Sequence, residues 1–330
     1  MQHILAVTSP FFALVLLGWA AARGRLLSLD AIPGLNALVL FFALPCMLFR
    51  FSASTPIAEL LDAAVVSVYL GSALVMVALA VMVARRRAMG WADASFGALV
   101  AAFPNSGFMG VPLVVALLGQ AAAAPAIVAL ALDMVLTTSL CIALSQLGPG
   151  GTGSVGEAPA ALARALRGML ANPLPWAIAL GMLSSATGLR PPKPLMQAVE
   201  MLAGAASPVA LFALGCMLAR SPVAKPALRG VLGVVACKLV LHPLVVLAAG
   251  RIAIAAGMPL DPFFAFVLVL VAALPSASNV PMLAERFHAD AGRIARVVLF
   301  STVGAFVTFT VMATWMGAIS PSRAVLRFGG

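Results

Sequence analysis

Long apolar runs recur from end to end of this chain, and they dictate its solvent. A hydrocarbon core of ~30 Å takes about 20 apolar residues to cross as an α-helix. Runs near that length occupy roughly 4–22, 32–49, 63–84, 94–118, 125–147, 168–188, 198–219, 230–250, 262–284 and 294–317. The chain is 63% hydrophobic and 9% charged, with mean hydropathy +1.12, which leaves no stretch for a soluble domain. Lipid offers no hydrogen bonds to an exposed backbone, so each run has to be helical. The expectation is an all-α integral membrane protein of about ten spans. The first run lacks a basic leader and an evident cleavage site, and is expected to be a retained helix.

Lys plus Arg number 20 against 10 acidic residues, a net charge of +10. In a soluble protein that excess would suggest nucleic acid; here the basic residues are loop residues, so no nucleic-acid partner is expected. Segments after runs 1, 3, 5, 7 and 9 carry Arg23, Arg25, Arg85, Arg86, Arg87, Arg164, Arg167, Arg220, Lys225, Arg229, Arg286, Arg293 and Arg296. The opposite side has only Arg50, Arg190, Lys193, Arg251, Arg323 and Arg327. The positive-inside rule then puts the odd-numbered loops in the cytoplasm and both termini outside a cytoplasmic membrane. Cys46, Cys141, Cys216 and Cys237 all fall within apolar runs, without metal-ligand spacing, and read as packing residues.

The two halves resemble each other. Ala43-Leu44-Pro45-Cys46-Met47-Leu48-Phe49-Arg50 in run 2 matches Ala213-Leu214-Gly215-Cys216-Met217-Leu218-Ala219-Arg220 in run 7, at an offset of 213 − 43 = 170. Ala101-Ala102-Phe103-Pro104 in run 4 matches Ala272-Ala273-Leu274-Pro275 in run 9, at an offset of 275 − 104 = 171. Nearly equal offsets at corresponding runs indicate a repeat, divided as 1–147, a Gly-rich cytoplasmic linker 148–167, and 168–330. Five spans per copy is an odd number, so the second copy enters the membrane upside down. Inverted repeats are characteristic of secondary transporters, with the substrate near the midplane between the copies.

The fourth run of each copy is interrupted. Pro104-Asn105-Ser106-Gly107 leads to Pro112 in one, and Pro275-Ser276-Ala277-Ser278-Asn279 to Pro281 in the other. Proline removes a backbone donor and clashes with the preceding turn, so both runs should unwind at these points. Freed peptide groups cannot face lipid, which places the two breaks in the interior, crossing at the midplane. A half-helix N-terminus favours an anion. The candidate substrate residues are therefore Pro104, Asn105, Ser106, Gly107, Pro275, Ser276, Ser278 and Asn279, with the asparagine amides as donors. A bare kink is commoner in membrane helices than a site; pairing at equivalent positions favours the site.

On these residues the whole chain resembles the auxin efflux carrier family, in particular its bacterial permeases. Phe103 to Leu113 is similar to the family's fourth-helix signature, Leu274 to Asn279 followed by Ala284 to its ninth, and Lys238 with Pro243 to a Lys-to-Pro pattern in the eighth. The resemblance implies ten helices in two inverted repeats, helices 4 and 9 crossing at their prolines, a scaffold of helices 1, 2, 6 and 7, and a homodimer. It also implies export or uptake of a small carboxylate such as malonate or malate.

Asp133 and Lys238 lie deep in runs 5 and 8, where each charge costs ~2.5–3.5 kcal/mol on insertion scales. The resemblance also implies a fold shared with bile-acid symporters and sodium/proton antiporters, and helix placement in the antiporters leads to the expectation that Asp133 and Lys238 pair beside the crossover, with either a structural role or one in proton coupling. His242 follows Lys238 by one helical turn on the same face and is a packing residue or a proton relay. The segment Gly148 to Gly156 lacks the Lys-Ser/Thr ending of a phosphate loop, so an ion or substrate gradient, of protons or sodium, is expected to drive transport, with no cofactor. A sodium-coupled organic-anion symporter of the bile-acid type is the alternative reading. An intramembrane enzyme is remote, because the chain has three histidines and no nucleophile elbow or metal cluster.

Overall fold

A computed structural model describes residues 2–147, 172–220 and 228–316. The Gly-rich linker 148–167 and the loop residues Arg164, Arg167, Lys225, Arg323 and Arg327 lie outside them. The described residues are overwhelmingly helical and contain no strand beyond one isolated bridge. We number the helices α1 Gln2–Arg23, α2 Ile32–Ala53, α3 Ala63–Arg86, α4 Trp91–Ala102, α5 Ser106–Leu118 and α6 Gln120–Ser145. After the linker come α7 Pro173–Thr187, α8 Lys193–Arg220, α9 Leu228–Ala255, α10 Pro262–Ala272, α11 Val280–Arg286 and α12 Ala291–Met316. Among the described residues, 7 helical segments are long and apolar enough to cross a membrane: those of α1, α2, α3, α6, α8, α9 and α12. The fourth and ninth apolar runs are each split into two shorter helices, α4–α5 and α10–α11.

Local chemistry explains the boundaries. Asp62 Oδ1 accepts from the amides of Ala64 at 2.8 Å and Val65 at 3.0 Å, starting α3. Asp261 Oδ1 caps α10 through Phe263 N–H at 2.7 Å, and Asn172 caps α7 through Leu174 N–H at 3.0 Å, each with proline at the first turn, where no N–H is missed. Three helices widen into a π turn shortly before a proline: Val39–Ala43 before Pro45, Ser106–Gly110 before Pro112, and Cys237–Leu241 before Pro243. The wider turn lets the residue ahead of each proline bond five positions back, as His242 N–H does to Cys237 C=O, and moves the carbonyls clear of the ring. A fourth π turn, Asp133–Thr137, has no following proline; we have no local reason for it beyond the polar cluster it carries.

Packing sorts the helices into two groups. In one, α1 lies along α8, and α2 packs against α7 and α8. The α1–α8 approach is unusually close: a Cβ on Gly215 would stand 1.9 Å from Val15 C=O, and one on Gly18 would stand 2.0 Å from Phe212 C=O. Small residues that let backbones meet are how helices associate where lipid gives no hydrophobic drive. Cys216 Sγ donates to Gly18 C=O at 3.2 Å across the same contact. In the other group, α3 packs on α4 and α9, α4 on the end of α6, α9 on α10, and α11 and α12 on each other. The groups meet where the π turn of α5 touches α8 and where Gly107 lies against Leu44 of α2.

Candidate functional site

Phe103 leaves α4 in an extended conformation (ψ 105), as the residue before a proline prefers. It brings Pro104 opposite Ser276, and the two form an antiparallel bridge. Asn105 N–H donates to Pro275 C=O at 2.8 Å, and Ala277 N–H donates to Phe103 C=O at 3.0 Å. Peptide groups released by the breaks thus satisfy each other, as a buried backbone requires. Ser276 adds two further ties: its hydroxyl donates to Val100 C=O at 2.7 Å, and its N–H donates to Ser301 Oγ at 3.1 Å. Ser106 donates from its hydroxyl to Pro104 C=O at 3.1 Å. Gly110 is held under Leu274, where a Cβ would meet Cδ1 at 2.7 Å.

Of the sequence-derived substrate residues, Pro104, Asn105, Ser106, Pro275 and Ser276 therefore sit together at one joint. Gly107 lies against Leu44 of the other helix group and Leu130 of its own. Ser278 is buried beside the joint. Asn279 differs from Asn105: it heads α11 and is half-buried, whereas Asn105 is 3% exposed. Asn105 Nδ2 is buried without a hydrogen-bond partner. An amide presents two N–H donors there, and leaving them unmet in a low-dielectric interior costs ~1–3 kcal/mol.

Asp133, Lys238 and His242 form a second cluster, each 0% exposed. The expected direct pairing of carboxylate and ammonium is replaced by separate partners. Asp133 Oδ2 accepts from the Tyr69 hydroxyl at 2.5 Å, and its Oδ1 accepts from Thr137 Oγ1 at 3.0 Å. Lys238 Nζ lies 3.0 Å from His242 Nδ1 and donates to Ala272 C=O at 2.6 Å. The rings of Tyr69 and His242 meet at 6.4 Å between centroids and join the two pairs. Ala272 is the last residue of α10, so the ammonium caps the carbonyl end of the half-helix that leads into the break. Tyr69, Thr137, Ser301 and the Ala272 carbonyl were not evident as partners in the sequence. Tyr69 carried one signal, being the only tyrosine in the chain.

A family model described as "Membrane transport protein" matches residues 3–153 and 157–313. The chain belongs to this family, the auxin efflux carriers. A Rhizobium meliloti (strain 1021) protein named "Putative malonate transporter" is 31% identical over 314 residues, covering 94% of this chain and 95% of its own length. An Escherichia coli (strain K12) protein, "Uncharacterized transporter YfdV", is 28% identical over 313 residues, covering 91% and 93%. Membership makes this auxin efflux carrier relative a multi-pass membrane transporter.

Proposed function

We propose that this transporter is a secondary permease that carries a small organic anion, a mono- or dicarboxylate such as malonate or malate, across the cytoplasmic membrane. In this reading ten spans form two inverted five-helix repeats, the α4–α5 and α10–α11 runs cross at the midplane, and the solute binds at that crossing. Alternating access follows from motion of the α3–α6 and α9–α12 group against α1, α2, α7 and α8. The observation that carries the proposal is the buried, unpartnered amide of Asn105 beside two backbone segments tied antiparallel. A carboxylate oxygen is the natural acceptor for those two N–H groups, and the malonate name of a full-length relative points to the same chemistry.

The test is uptake of labelled malonate and malate into proteoliposomes. A hydrogen bond to a charged group contributes ~1.5–3 kcal/mol, so Asn105→Ala should lower kcat/KM about tenfold to a hundredfold. Asn279→Ala, at a wetter position, should have the smaller effect. Undiminished uptake by a well-folded Asn105→Ala protein would remove the site from the crossing; no uptake of either acid by the unaltered protein would remove the substrate class.

A further inference from the structure

The second cluster has features that an ion pair kept only for packing would not need. A carboxylate and an ammonium buried for stability gain most in direct contact, because each otherwise bears its desolvation uncompensated. Here the carboxylate is bonded to a phenol and the ammonium to an imidazole, and the two rings lie 6.4 Å apart. The Lys238–His242 pair also has spare hydrogen-bonding capacity. An ammonium offers three N–H donors, of which Nζ uses two, toward His242 Nδ1 and Ala272 C=O. The other ring nitrogen, His242 Nε2, is buried with no partner. Take one proton from this pair, and the amine still donates to Ala272 C=O while the Nζ–Nδ1 contact persists with donor and acceptor roles free to reverse. Both charge states therefore fit the same heavy-atom positions. Asp133 has a hydroxyl on each oxygen, Tyr69 at 2.5 Å and Thr137 at 3.0 Å.

We propose that the Lys238–His242 pair is the carrier's proton site, taking one proton from water on one side of the membrane, holding it on Nζ against Nδ1, and releasing it to water on the other. This rests on the transport reading above and names its coupling ion. The groups facing the pair are Tyr69 from α3, Asp133 from α6 and the Ala272 carbonyl from α10. The proton offsets one negative charge on a carboxylate carried nearby, and moving that charge alone would be opposed by ~2.3 kcal/mol per 100 mV. Both nitrogens are sealed from solvent in this conformation, as a proton in transit requires.

Two measurements decide it. In proteoliposomes enclosing a pH dye, entry of labelled malonate should carry about one proton per molecule, and the ratio should fall toward zero in His242→Gln, whatever rate that variant retains. An unchanged ratio in His242→Gln, or malonate flux without proton movement in the unaltered protein, overturns the proposal. Should malonate not move at all, the transport reading fails separately and nitrogen-15 spectra of the imidazoles judge the proton site. The chain has 3 histidines, so His242 is assignable by difference against His242→Gln. Ring signals that respond to pH between about 5 and 9, and lose that response in Lys238→Met, support the site; signals fixed throughout that range overturn it.

Discussion

Replacing Gly215 with alanine should be the most damaging single-methyl change in the α1–α8 pair. The added Cβ would lie 1.9 Å from Val15 C=O and 2.7 Å from Trp19 N, and ordinary contact begins at 3.4 Å, so α1 must retreat by about 1.5 Å (3.4 − 1.9) at that point. Both obstacles are backbone atoms within a helix and cannot swing aside. Overpacking of this kind costs ~1–3 kcal/mol, and a gap of even 0.5–1 Å along the rest of the seam forfeits a quarter to a half of its dispersion attraction. Separation would also stretch the Cys216–Gly18 contact, already 3.2 Å, beyond useful length. Gly204, on the same helix, supplies the control: nothing lies within 4 Å of its virtual Cβ, and alanine there should stabilise the helix by ~0.5–1 kcal/mol. The two alanine variants should therefore differ by about 1.5–4 kcal/mol in reversible unfolding in mixed detergent micelles, followed by tryptophan fluorescence. Indistinguishable unfolding curves would refute the argument that backbone contact at Gly215 fixes this seam.

Tyr69→Phe removes one of two donors from a buried carboxylate and should destabilise the protein by about 1.5–3 kcal/mol in the same unfolding assay, with a loss under about 0.5 kcal/mol contradicting the assigned hydrogen bond. In a background lacking the native cysteines, Arg190→Cys should react with a membrane-impermeant maleimide added to intact cells, whereas Arg87→Cys should react only after lysis. The reverse pattern would invert the proposed orientation.

Features decided by one residue's covalent chemistry were legible in the sequence. Proline at 104 and 275 lacks an N–H wherever the chain goes, which together with the neighbouring Gly, Ser and Asn marked both runs for a break, and lipid left the freed groups only the interior. The contact of Asn105 N–H with Pro275 C=O is the resulting closure. Features decided by which distant side chain arrives at a given depth were not legible. The partner of Asp133 is Tyr69, 64 positions away, and an ion-pairing argument based on charge alone selects Lys238 instead. Likewise, Gly18 and Gly215 are unremarkable among 28 glycines until α1 and α8 are laid side by side. The two asparagines look equivalent in their Pro-flanked motifs and each precedes a half-helix, yet Asn105 is sealed and Asn279 is half-buried.

The tie between Phe103–Asn105 and Pro275–Ala277 is made from main-chain atoms. Its strength is therefore nearly independent of which side chains flank it, apart from the prolines that expose those atoms. On the proposed reading that the solute binds here, substitutions around the joint alter the size and polarity of the cargo while its main-chain geometry is kept. A lineage of carriers built on that reading would change diet repeatedly without rebuilding the joint beneath it.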